Sequence, residues 1–97
     1  MNVVWTPRAI ERAAKIAKFI SHDDPTAAGK WVVGVFAAVD RLSDHPYSGP
    51  MVPELGREEI RQITYRSYRI IYKISKAGVG ILSVRHFRRQ FDPEEAT

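Results

Sequence analysis

With 97 residues, 44% of them apolar and 27% charged, the chain has an ordered globular composition and the length of one domain, 1–97. The absence of cysteine excludes a disulfide framework and a thiolate metal site, and His22, His45 and His86 are too scattered to suggest a ligand cluster, so neither a metal nor a cofactor is expected. The net charge of +4 is unevenly placed: residues 1–56 carry six basic and six acidic groups, whereas residues 57–91 carry nine basic groups against Glu58 and Glu59, which favours a polyanionic or acidic partner.

The opening Met-Asn-Val-Val-Trp has neither the basic nor the apolar region of a signal peptide, and no apolar run approaches the roughly 18 residues of a membrane span, so the expected compartment is the cytoplasm. Residues 2–5 are short, apolar and β-branched, and read as a strand. Thr6-Pro7 then supplies a cap residue and a proline at the first helical position. From residue 7 to about 20, Ile10, Ala13, Ala14, Ala17 and Ile20 recur at three- and four-residue steps, the pattern of an amphipathic helix. Asp24-Pro25 repeats the punctuation and opens a second helix with the stripe Ala28, Trp31, Val32, Val35, Phe36, Val39 and Leu42, of which Trp31, Val35 and Phe36 are expected in the core. Gly29 and Gly34 weaken that helix by roughly 1 kcal/mol each, and close approach to the first helix is their expected purpose.

Residues 44–53 hold three prolines and a glycine and read as a loop. Residues 59–65, 68–74 and 79–86 are β-rich and separated by short connections, which predicts an antiparallel meander. The predicted class is α+β, a two-helix hairpin on a small antiparallel sheet in the order β-α-α-β-β-β. Alternation sets Tyr68, Ile70, Tyr72 and Ile74 towards the helices and Arg69, Ile71 and Lys73 away from them. In the last strand it groups Leu82 and Val84 with His86, and Ile81 and Ser83 with Arg85, making Arg69 and Arg85 candidates for one basic face. Ile60 and Ile63 have opposite parity, so a bulge is expected near Arg61.

Five segments together resemble the RelE/ParE toxins of type II toxin-antitoxin systems along nearly the whole chain. They are Trp5-Thr6-Pro7-Arg8-Ala9, Asp24-Pro25-Thr26-Ala27-Ala28, Leu42-Ser43-Asp44-His45-Pro46-Tyr47-Ser48-Gly49, Tyr68-Arg69-Ile70-Ile71-Tyr72, and the ending from Ile81 to Phe91. The resemblance implies the β-α-α-β-β-β fold, a growth-inhibiting toxin, and a cognate antitoxin that neutralises it in a hetero-oligomer. The ending His86-Phe87-Arg88-Arg89-Gln90-Phe91 resembles ParE-like chains, whose implied target is DNA gyrase. Arg61, Arg69, Arg85, Arg88 and Arg89 are then the target-binding candidates.

The alternative is a RelE-like endoribonuclease that cuts mRNA in the ribosome, with Arg69, Arg85 and His86 as the catalytic candidates. Cleavage through a 2′-hydroxyl needs an acid, a base and cations that stabilise the charged phosphorane, so Arg88 joins as a cation and Glu54 or Glu58 as an alternative base. No tyrosine follows residue 72, a departure from the nucleolytic members. Each candidate also has a plainer reading: His86 organises the strand end, Arg69 is solvated or salt-bridged, and Arg88 and Arg89 lie in a solvated tail. A degenerate member that only binds its antitoxin is the third reading.

Overall fold

In the computed structural model, which describes residues 1–88 and 91, the elements follow the predicted order: β1 (Val3–Trp5), α1 (Pro7–Asp23), α2 (Pro25–Asp40), β2 (Ile60–Tyr65), β3 (Tyr68–Ser75) and β4 (Gly78–His86). Both helix starts are set by the residues that announce them. Thr6 Oγ1 accepts the Ala9 N–H and donates to the Ile81 carbonyl of β4, so one hydroxyl caps α1 and ties it to the sheet. Asp24 closes α1, its N–H donating to the Ile20 carbonyl, and opens α2, its carboxylate accepting the Ala27 N–H. α1 therefore runs three residues past the expected end at 20, because the first residue held out of the helical region is Asp24, which the following Pro25 pushes into an extended conformation. α2 passes into a short 3-10 turn, Arg41–Ser43, that buries Leu42.

The sheet order is β1-β4-β3-β2. β2, β3 and β4 form the predicted antiparallel meander, and β1 adds in parallel to β4, which makes the whole sheet mixed. The connection from β3 to β4 needs a glycine: Gly78 has φ 130, and a Cβ there would lie 2.4 Å from the Asn2 carbonyl oxygen. The outer edge of β2 is covered by the preceding loop, where Val52 N–H donates to the Ile60 carbonyl and Gln62 N–H to that of Pro50.

The helices bury one face of the sheet. Ile70, Tyr72 and Ile74 of β3 and Val79, Ile81 and Val84 of β4 pack with Ala9, Trp31, Val35, Ala38, Val39 and Leu42. The opposite face has a second, smaller core of Val52, Ile60, Ile71 and Phe91, flanked by Leu55 and Leu82.

Four details differ from the sequence reading. The bulge lies in β4, where Ile71 pairs with Ser83 but Tyr72 pairs with Ile81, leaving Leu82 as the extra residue. Parity therefore switches there: Ile81 joins the helix side, and Leu82 turns to the far side. β2 has an unbroken register, because Ile60 and Ile63 serve different cores. Gly34 makes room for Tyr65 of β2, whose hydroxyl would lie 1.8 Å from an added Cβ, whereas nothing crowds Gly29. Phe36 is half exposed and packs on Trp5 with ring centroids 5.0 Å apart.

Candidate functional site

The structure sorts the predicted cations by what holds them. Arg61 is an anchor for the loop before β2: its Nε donates to the Glu58 carbonyl, its Nη1 to the Gly49 carbonyl, and its guanidinium lies 5.1 Å from the Tyr47 ring centroid. Beneath this loop, the Gly49 N–H donates to the hydroxyl of Tyr72, whose burial raises its pKa above the ordinary phenol value. Arg61 thus fixes loop geometry before it can serve any partner.

Arg69 is 5% exposed and lies on the face turned away from the helices. Its Nη1 donates to Glu54 Oε1 at 2.9 Å and to Gln62 Oε1 at 3.0 Å, and its Nη2 donates to Glu54 Oε2 at 2.5 Å. A forked guanidinium matches a carboxylate in this bidentate way, and neutral Gln62 takes a further donor without adding charge. Glu54 Oε2 also accepts the main-chain N–H of Phe91 at 2.7 Å. The Arg69 hydrogen bonds, opposed by desolvation and aided by the Phe91 N–H, hold the Glu54 carboxyl at about 2. At neutral pH Glu54 is therefore a paired carboxylate and a weak base.

Arg85 pairs directly with Arg69 across β3 and β4 and is half-buried on the same face. His86 is the next residue and turns to the helix side. Its ring meets Tyr68 edge-on at 5.6 Å, stacks on Phe87 at 5.1 Å, and its Nδ1 accepts the Arg88 N–H at 3.3 Å. Arg69 and Arg85 are thus brought together, while His86 is separated from them by the sheet. Arg88 is exposed, its guanidinium 5.7 Å from the Phe87 ring centroid, and Arg89 lies outside the described residues.

Concave surfaces lie on the helix side. An apolar groove of about 190 Å³ is lined by Trp5, Ile10, Ala13, Ala17, Val32 and Phe36, among others, and a more polar cleft of about 460 Å³ is bordered by Phe19, Lys30, Arg66, Tyr68 and His86. Trp31 lines both. Its indole Nε1 is buried and has no hydrogen-bond partner among the described residues. No group of three or more metal-ligating side chains suited to an ion occurs among the described residues, and no helix there is long and apolar enough to cross a membrane.

The family described as the ParE toxin of the type II toxin-antitoxin system parDE matches residues 3–91. The chain belongs to the ParE toxin family. It is 38% identical to the candidate toxin Y4kP of Sinorhizobium fredii over 93 residues, covering 93% of this chain and 92% of the relative. It is 30% identical to toxin RelE2 of Caulobacter vibrioides over 88 residues, covering 91% and 97%. Its fold matches a chain from the chromosomal ParDE toxin-antitoxin system of P. aeruginosa with a TM-score of 0.74 and 19% identity, over 89% of this chain and 95% of that one.

Within this ParE-family chain, sequence reasoning named Glu54 only as an alternative base and left out Gln62 and Phe91 as partners in the Arg69 cluster. The apolar Ile71 between Arg69 and Lys73 was the available signal that the far face is covered. Lys30 and Arg66 beside the cleft were also missed, since each is isolated in sequence and only the fold sets them on one rim.

Proposed function

We propose that this toxin arrests growth by binding DNA gyrase through its C-terminal cations, with Arg88 and Arg89 as the main contacts and Arg85 beside them. A cognate antitoxin neutralises it in a hetero-oligomer. The observation that supports binding over RNA cleavage is the Glu54–Arg69 pair. Arg69, the cation a nuclease would direct at phosphate, already has a bidentate carboxylate, and His86 lies across the sheet from it. General acid-base catalysis requires its groups within hydrogen-bond reach of one substrate, and this arrangement separates them.

For the antitoxin, the apolar groove between the helices suits the nonpolar face of an amphipathic segment, and Lys30 and Arg66 suit acidic residues that follow it into the adjoining cleft. Such a segment would bury apolar surface and neutralise charge together.

Gyrase supercoiling and ribosome-dependent mRNA cleavage, assayed side by side with the purified chain, test the target. Inhibited supercoiling with intact mRNA is expected, and Arg85→Ala and Arg88→Ala should each weaken inhibition severalfold while preserving the fold. Cleavage of mRNA in ribosomes, abolished in a folded His86→Ala or Arg69→Ala variant, would establish the RelE-like alternative instead. Activity in neither assay would mark a chain that only binds antitoxin.

A further inference from the structure

Glu54 joins three segments that are distant in sequence. Its carboxylate takes two donors from Arg69 of β3 and the main-chain N–H of Phe91, which is 37 residues away. Phe91 itself is 1% exposed, packed with Val52, Ile60 and Ile71. Only four residues separate it from His86, the end of β4, and they include Arg88 and Arg89. Arg88 therefore follows a fixed point at the end of β4 and precedes a second one at the Phe91 anchor.

We infer that Glu54 is a positioning residue for Arg88: by binding the Phe91 N–H while Arg69 fixes its carboxylate, it anchors the chain at Phe91 against the far face of the sheet, three residues beyond Arg88. A residue between two anchors has already lost much of the conformational freedom that a free tail would lose on binding, so Arg88 meets its partner preorganised. Phe91 supplies the burial and Glu54 the register, since a hydrogen bond from one main-chain N–H fixes which residue occupies the pocket. Arg69 acts at one remove, as the group that keeps Glu54 ionised and oriented.

The role of Arg88 rests on the gyrase reading above, whereas the tether itself does not. The test uses the full chain with Glu54→Gln, with Phe91→Ala, which leaves the ion pair intact, and with both, alongside Glu11→Gln as a control for the same charge change. Native trypsin cleavage at the Arg88 bond reports the tether, the unfolding midpoint reports the fold, and the concentration that halves gyrase supercoiling reports function. Either single variant should remain folded at the assay temperature, be cut at Arg88 roughly 10-fold faster, and require roughly 10-fold more protein to inhibit gyrase. The double variant should lose little more than Phe91→Ala alone, because both changes release one tether. Glu11→Gln should match the wild type.

Unchanged cleavage at Arg88 in folded Glu54→Gln and Phe91→Ala would overturn the tether, and faster cleavage with unchanged inhibition would overturn its role in presenting Arg88. A wild type that does not inhibit gyrase would overturn the target reading and the role given to Arg88, while the cleavage rates still decide whether Glu54 holds the segment.

Discussion

The helix-covered face of the sheet is closed by a broad set of apolar side chains from both helices, whereas the far face is closed by a handful of residues around one ion pair. Losing one contact on the first face leaves many others. On the second, Val52, Ile60, Ile71 and Phe91 form a small cluster whose neighbours include the Glu54 carboxylate and the Arg69 guanidinium. The difference separates a face that supplies stability from one whose arrangement depends on charge, and the C-terminal anchor belongs to the latter.

Adjacent residues on β3 provide the strongest comparison. Ile70 and Ile71 are both fully buried, but Ile70 faces the helices and Ile71 the small cluster. Ile70→Ala should cost about 4 kcal/mol, and Ile71→Ala about 2 kcal/mol, because the thinner layer can collapse into the space left behind. Denaturant unfolding of the two variants measures both, and equal losses would erase the distinction between the faces.

Arg69→Met sharpens the contrast from the charged side. It removes the partner of a largely buried carboxylate and should cost about 3 kcal/mol, since an uncompensated charge is left behind. Pairing it with Glu54→Gln should recover part of that loss in a double-mutant cycle followed by thermal unfolding.

A smaller effect separates the faces by pH. Glu54 titrates at about 2 in the folded chain against an ordinary 4.5, so its contribution is fully present above pH 4.5 and is lost as the pH falls towards 2. After allowance for solvent screening, that contribution is on the order of 2 kcal/mol. Glu54→Gln should therefore flatten the acid limb of the stability curve by about this amount, while Ile70→Val should lower the curve evenly at every pH.

What sequence made legible follows the same division. Thr6-Pro7 and Asp24-Pro25 mark both helix starts by local rules, and the alternation of Tyr68, Ile70, Tyr72 and Ile74 identifies the helix-covered face. The far face was hidden because its partners are remote: Glu54 lies 15 residues before Arg69, in a loop whose path no local pattern encodes. The bulge at Leu82 escaped for a related reason, since Ile81 and Leu82 are both apolar and each has a core to enter. Gly34 was legible as a close approach but not as an approach to Tyr65, a pairing that only the packed sheet reveals. Phe36 continues the apolar stripe of α2, yet the stripe is wider than the surface beneath it, so one edge lines the open groove.

The most direct measurement is a carboxyl titration of Glu54 by NMR in the wild type and in a folded Arg69→Met variant. Arg69 as the internal partner of Glu54 predicts a midpoint near 2 in the wild type and a clear rise once the guanidinium is removed. A wild-type midpoint at the ordinary value of 4.5, unmoved by Arg69→Met, would contradict the pairing and return Arg69 to the cations available for a target.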